Sequence, residues 1–217
     1  MRKLLFTAFY QGRDEESIGA GNCASVAIIK AAMFAFGFEV LHYEIQQDTY
    51  AVTLKNGDQI SFTKTELLYA IQESSFILGS YKNDTEKEQF TEILDYAHIC
   101  FATICKMAQK HGDFSSRYSK FIIPDTFELA VEIINDGTFT PHVYEFLGLE
   151  EHASATYRTK LRKKIKESKG MVLWTNTHAM YASGGYFDHY GKKQKFTGRF
   201  MFKLPGKIAA GIFQLKP

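Results

Sequence analysis

The stretch that decides the fold is residues 19–37, GAGNCASVAIIKAAMFAFG. Two glycines and an asparagine precede a run of fourteen residues in which Lys30 is the only charge, and Gly37 closes the run. This order of glycine loop, Asn22 cap, apolar run and glycine stop predicts an α-helix over 23–36. A helix that is apolar on nearly every side must be surrounded by protein. We therefore expect it to be the central helix of a packed core.

Composition is that of an ordinary globular protein. Of the 217 residues, 45% are hydrophobic and 23% are charged, which excludes a disordered or fibrous chain. The 26 Lys and Arg are nearly balanced by 24 Asp and Glu, so a nucleic-acid partner is disfavoured. A chain of this length buries enough apolar surface to form a stable core without disulfide bonds or structural metal ions. We expect one domain over residues 1–217.

The cysteine content and the N-terminal residues indicate the cellular compartment in which the protein is expected. Three cysteines without a CxxC pair form neither a disulfide framework nor a structural zinc site, which favours a reducing compartment. The apolar residues 4–10 follow a positive start but lack a cleavage site, so they are interpreted as a first strand. The sequence contains no run of eighteen apolar residues, so no membrane-spanning helix is expected. The expected location is cytoplasmic, although a secreted effector without a signal peptide would have the same composition.

The remaining patterns predict helices first and strands last. A strand is expected at 40–46, and Asn56-Gly57 between alternating runs predicts a β-hairpin over 49–62. Helical periodicity and end signals predict helices at 65–71, 85–110, 124–137 and 154–168. Strands are expected at 171–176, 177–187, 195–204 and 207–215. The fold class is therefore α+β, with a helix-rich part over about 1–169 and a β-rich part over about 170–217.

Cys23 stands at the first turn of the predicted central helix. Unpaired N–H groups and the helix dipole favour an anion there, so the sequence predicts a stabilised thiolate, the form that acts as a nucleophile. The alternative is that Cys23 is a small apolar core residue, as free cysteines commonly are. Cys100 and Cys105 lie five residues apart on the helix over 85–110, on different sides, and are predicted to be core residues. The histidines show no HExxH or related spacing, so neither a metal nor a cofactor is expected.

Residues 21–29, GNCASVAII, resemble the glycine-x-cysteine helix start of papain-like and calpain-like cysteine peptidases. Those peptidases carry an aromatic residue after the cysteine, where this chain has Ala24. They also carry an upstream glutamine at the oxyanion hole, and Gln11 is similar to it. Gln11 lies twelve residues before Cys23, so residues 13–17 would form an inserted loop.

A second stretch, residues 177–186, THAMYASGGY, is similar to the segment of the same family in which a histidine opens a strand of small apolar residues. His178 lies 155 residues after Cys23, close to the roughly 130–150 typical of papain-like chains. The alternative is a histidine that merely satisfies its own hydrogen bonds in a strand. The resemblance covers about residues 8–37 and 170–204 and leaves the middle of the chain unassigned.

The resemblance implies a papain-like two-lobed fold in which the Cys23 helix packs on a mostly antiparallel C-terminal sheet, with the active site in an open cleft between the lobes. It implies that Cys23 attacks an amide carbonyl of a peptide or protein substrate, with His178 as base and Gln11 at the oxyanion hole. One alternative is a noncatalytic binding module with the same fold. Another is a related acyl transferase, such as a transglutaminase or deamidase, which shares the first step.

The family follows its histidine with an Asn or Asp that fixes the imidazole tautomer. Beyond Asp188 this chain contains no Asn, Asp or Glu. We expect a hairpin turn over 186–193 that places Lys203 opposite His178, leaving Asp188, Gln194 or a backbone carbonyl to orient the ring. Asp188 is favoured because a carboxylate both fixes the tautomer and stabilises the imidazolium.

Overall fold

The computed structural model describes residues 1–12, 21–115, 120–137, 140–157, 166–174, 178–196 and 211–215. These residues form helices together with antiparallel sheets, so the predicted α+β class is confirmed. The helices are α1 Cys23–Phe36, α2 Lys64–Glu73, α3 Asp84–His111, α4 Phe127–Asn135 and α5 Thr140–Glu145, and a 3-10 turn spans Glu150–His152. The first strands are β1 Phe9–Gln11, β2 His42–Gln46, β3 Thr49–Thr53, β4 Gln59–Thr63, β5 Phe76–Leu78, β6 Asp113–Ser115 and β7 Lys120–Ile122. The later strands are β8 Ala153–Tyr157, β9 Met171–Trp174, β10 Ala179–Ser183, β11 Tyr186–His189, β12 Lys192–Lys195 and β13 Gly211–Leu215.

Helix α1 begins and ends where the sequence predicts. Gly37 follows it with a φ of 71°, a left-handed conformation that glycine adopts without strain. Every residue from Ala24 to Met33 is buried, which confirms the prediction of a central core helix. Cys23, at its first position, is only partly buried.

The predicted Asn22 cap is wrong. Its side-chain amide donates to the Ser74 carbonyl at 2.6 Å and to Asn135 Oδ1 at 3.0 Å, and it makes no bond to its own helix. The physical reason is the docking of this segment on the end of α4, where the Gly21 N–H donates to the Asn135 carbonyl. The first turn of α1 is therefore held from outside the helix.

Six strands form the sheet on which α1 packs, in the order β12-β11-β10-β9-β13-β8, with every neighbouring pair antiparallel. Helix α1 contacts β9, β10 and β13. A Cβ atom on Gly170, just before β9, would collide with the Ala31 backbone, so helix and sheet meet there backbone to backbone. This confirms the expected antiparallel sheet beneath the Cys23 helix.

Strand β8 contradicts the helix predicted over 154–168. Ala153–Tyr157 pairs with β13, Ala153 lying opposite Leu215 and Tyr157 opposite Gly211. The pairing joins residues 54 to 62 positions apart, so no local periodicity could indicate it. Residues 158–165 lie outside the described part of the chain.

The first strand is also shorter than predicted. Residues 2–8 form turns in which the Ala8 N–H donates to the Leu4 carbonyl, and only Phe9–Gln11 is extended, paired with β5. Helix α4 begins at Phe127, capped by Thr126, and not at residue 124. Most of the strand predicted over 195–204 lies beyond the described residues.

The C-terminal hairpin turns earlier than predicted. Ser183 pairs with Tyr186, so the turn is Gly184-Gly185, both with positive φ, and Asp188 lies inside β11. Two central residues with positive φ form a type I′ turn, whose twist suits antiparallel strands. The turn predicted over 186–193 is therefore wrong, and Lys203 lies outside the described residues.

No helix in the described part of the chain is long and apolar enough to cross a lipid bilayer. Cys100 and Cys105 are completely buried, which confirms that both are core residues.

His98 on α3 is a buried neutral histidine whose effect on stability can be tested. Its ring stacks on Phe76 with centroids 5.5 Å apart, and burial lowers its pKa to about 4. An unfolded histidine titrates near 6.5, so the unfolded state binds more protons as pH falls through this window, and stability is lost there. We expect His98 to account for a loss of about 3 kcal/mol of unfolding free energy between pH 7 and pH 4.

The variant His98→Phe should lose correspondingly less stability on acidification, measured by urea unfolding at the two pH values. His42→Phe, at an exposed position, is the control. Equal acid losses in wild type and His98→Phe would contradict the prediction.

Candidate functional site

All four predicted site residues line one pocket, although they come from distant parts of the chain. Gln11 ends β1, Cys23 begins α1, and His178 directly precedes β10. The Ala179 N–H points at the Cys23 Sγ, with nitrogen and sulfur 3.4 Å apart. Since Ala179 follows His178, this contact brings the His178 backbone beside the sulfur.

The electrostatics of Cys23 differ from the sequence prediction. Burial raises the pKa of the Cys23 thiol above its ordinary value, and the N–H groups of Ala179, Ala24 and Cys23 itself offset only part of the increase. The start of α1 does favour an anion as expected, but desolvation outweighs it. The predicted stabilised thiolate is therefore wrong for the resting site. Cys23 rests as a neutral thiol, so a base must take its proton when it reacts.

The His178 ring is held by an aromatic neighbour. It stacks on Tyr190 with centroids 5.3 Å apart and planes 17° from parallel. Tyr190 and Gly191 form the turn between β11 and β12, and Tyr190 has a φ of 51°. A tyrosine in the left-handed region is uncommon and carries some strain. The turn thus presents a strained aromatic residue directly to the histidine.

Asp188 lines the same pocket but is engaged in an ion pair. Its Oδ2 lies 2.5 Å from Lys30 Nζ, and its Oδ1 accepts the Gly191 N–H at 2.8 Å. The role of Asp188 as orienting partner of His178 stays a prediction. Gln194, the other side-chain candidate, lies with its Nε2 3.3 Å from the Nδ1 of His189.

Sequence reasoning noted Lys30 only as a lone charge. Its side chain is fully buried, and its Nζ donates to both the Phe9 carbonyl and Asp188. Burial lowers the pKa of Lys30, and the adjacent Asp188 carboxylate partly offsets this. Two signals were available: Lys30 lies seven residues after Cys23, hence on the same helix face, and a buried lysine needs a carboxylate partner.

The pocket is small. Its free volume is about 20 Å³, room for about one water molecule, so the open cleft expected between two lobes is not formed at this pocket. A larger cavity of about 780 Å³ lies elsewhere, along the exposed face of α3. It is lined by Phe38, Tyr43, Tyr96 and four carboxylates, Asp84, Glu88, Glu92 and Asp95, and by none of the predicted site residues.

Within the described residues, no cluster of three or more His, Cys, Asp or Glu is placed to hold a metal ion. Compared with protein-family models, curated proteins and solved structures, the chain matches none of them. Function therefore has to be inferred from the pocket itself.

Proposed function

We propose that this protein is a papain-like cysteine hydrolase that cleaves an amide bond of a peptide or protein through a thioester at Cys23. The observation that carries the proposal is that Cys23, His178 and Gln11 line one pocket, with the residue after His178 donating to the sulfur. The packing of α1 on an antiparallel sheet that continues from His178 supports the papain-like arrangement.

In the proposed reaction His178 takes the proton of the Cys23 thiol as the sulfur attacks the substrate carbonyl carbon. The tetrahedral intermediate collapses, the C–N bond breaks, and the leaving amine receives that proton from His178. Water then attacks the thioester, giving a proton to His178 and releasing the carboxylic acid. The proton returns to the sulfur and restores the thiol. The raised thiol pKa makes the base necessary, since few thiolates exist beforehand.

Gln11 and the start of α1 are proposed to stabilise the oxyanion. The Cys23 backbone N–H belongs to the first turn of α1, where N–H groups have no partner within the helix, and it lies next to the sulfur to which the attacked carbonyl must come. Gln11 lines the same pocket and is proposed to contribute its side-chain amide. Donors aimed at the developing charge lower the barrier most when water is excluded.

A second candidate is a noncatalytic binding module with the same scaffold. The small pocket and the raised thiol pKa favour it, because a working nucleophile needs access and a route to the thiolate. An acyl transferase or deamidase shares the thioester and differs only in what resolves it.

Limited labelling with iodoacetamide tests the accessibility that all thioester chemistry requires. Cys23 is partly exposed, whereas Cys100 and Cys105 are fully buried and burial raises the pKa of both thiols. We expect Cys23 to be labelled at least ~10-fold faster than either, since reaction needs access and thiolate. Peptide mapping by mass spectrometry assigns the label. Labelling of Cys100 first, or of all three cysteines only after unfolding, would count against the proposal.

A further inference from the structure

One buried ammonium group belongs to the helix that carries Cys23 and contacts both β1, which carries Gln11, and β11, which is followed by the turn that packs on His178. Lys30 lies on α1, two helical turns after Cys23 and on the same face. Its Nζ reaches the Phe9 carbonyl in β1 and the Asp188 carboxylate in β11. The ammonium thus links α1, β1 and β11.

The contact with β1 bears on Gln11. The ammonium bonds the Phe9 carbonyl and lies 4.7 Å from the centroid of the Phe9 ring. Side chains two apart on a strand share a face, so Gln11 lies on the same face of β1 as Phe9. Fixing Phe9 against Lys30 therefore fixes the direction in which Gln11 is presented.

The contact with β11 bears on His178. Asp188 holds Lys30 with one oxygen and the Gly191 N–H with the other, which links the ion pair to the turn that carries Tyr190. Tyr190 in turn stacks on the His178 ring. Since Asp188 accepts from both sides, a shift of the ammonium moves the turn.

The Tyr190-Gly191 turn requires a backbone conformation that tyrosine rarely adopts. Both central residues have positive φ, 51° at Tyr190 and 76° at Gly191, whereas the neighbouring hairpin satisfies the same requirement with Gly184 and Gly185. A non-glycine residue is disfavoured in this region because its Cβ atom lies too close to the following carbonyl oxygen. Strain of this kind persists where the surroundings over-determine it, and it concentrates at functional sites.

Gly191 also brings the turn back to β1. A Cβ atom on Gly191 would lie 2.5 Å from the Tyr10 Cδ1, so the Tyr10 ring packs on the bare glycine. Tyr10 directly precedes Gln11. The turn is therefore in contact with the segments of both predicted partners of Cys23.

We infer that Lys30 is a positioning residue of the proposed active site. Its ammonium, paired with Asp188, sets β1 and the Tyr190-Gly191 turn against α1 and so holds Gln11 and the His178 ring in place around Cys23. The inference rests on the proposed function. It also explains why a buried ion pair is kept where an apolar pair of similar volume would stabilise the fold equally well.

The test replaces the ion pair by an apolar one, Lys30→Met with Asp188→Leu, and reads two signals. We expect the His178 ring-proton resonance to move as the Tyr190 stack is lost, and iodoacetamide labelling of Cys23 to slow to within about twofold of the His178→Ala rate. The matched control is Lys106→Met with Glu66→Gln, which removes an ion pair of 2.7 Å between α3 and α2. It should move neither signal.

A folded double variant with an unchanged His178 resonance and an unchanged labelling rate would overturn the inference. If the double variant does not fold, Tyr190→Leu leaves the ion pair intact and tests the last link: the resonance and the rate must both change, and constancy of both overturns the inference. If wild-type labelling does not depend on His178, the proposed function fails. A resonance that still moves in the double variant would then leave the positioning by Lys30 standing.

Discussion

Replacing His178 by alanine is expected to slow the reaction of Cys23 with iodoacetamide at pH 7 by about 10²-fold. Burial raises the pKa of the thiol, so without a base the reactive thiolate becomes scarce at neutral pH. In the variant, the labelling rate should rise steadily with pH and reach its midpoint above the ordinary thiol value of about 8.5. The pH profile of the labelling rate is measured by quenching the reaction after fixed times at a series of pH values and quantifying the label by mass spectrometry.

His42→Ala is the control, because His42 is exposed and does not line the pocket. Cys23 in this variant should be labelled at the wild-type rate. Identical profiles for wild type and His178→Ala would remove His178 as a base. That result would favour the noncatalytic binding module, because a thiol with a raised pKa and no base forms little thiolate at neutral pH.

Lys30→Met is expected to lower the unfolding free energy by about 3–5 kcal/mol. The loss comes mainly from Asp188, whose carboxylate is only 7% exposed and would lose its ammonium partner. The Phe9 carbonyl would lose a donor as well. Adding Asp188→Leu should restore most of the stability, since both charges are then absent. Urea unfolding of Lys30→Met, of Asp188→Leu and of the double variant gives the three free-energy changes of this double-mutant cycle.

Lys106→Met is the comparison for a more exposed pair. Its side chain is 25% exposed and Glu66 is 19% exposed, so solvent screens the charges and the expected loss is about 1 kcal/mol or less. Equal losses from Lys30→Met alone and from the double variant would show that the unpaired carboxylate is not the source of the cost.

Local signals were sufficient for helix α1 and for the hairpin of β3 and β4. Helix α1 lies within its predicted bounds because an apolar run between glycines fixes both ends, and the Asn56-Gly57 turn sets the pairing of β3 with β4. The meeting of Cys23, His178 and Gln11 at one pocket was predicted from the resemblance to papain-like peptidases. Their order along the chain indicated that the three residues meet, but it gave neither the distances between their atoms nor the protonation state of the Cys23 thiol.

What the sequence could not indicate depends on long-range packing. β8 is a strand because β13 lies beside it, and that pairing leaves no local trace. The raised pKa of Cys23 reflects how much protein covers the sulfur, and this outweighs the helix start that the sequence made visible. The pairing of Lys30 with Asp188 joins residues 158 positions apart, and only the sheet register brings them together.

The size of the pocket affects how any ligand would bind. The pocket has room for about one water molecule, so a ligand that enters it would have to bind a wider conformer. Apparent affinity is then the intrinsic affinity multiplied by the population of that conformer, so a 1% population weakens binding about 100-fold. Association would be limited by the rate of opening, and a partner that stabilised the wider conformer would act as an activator without touching Cys23.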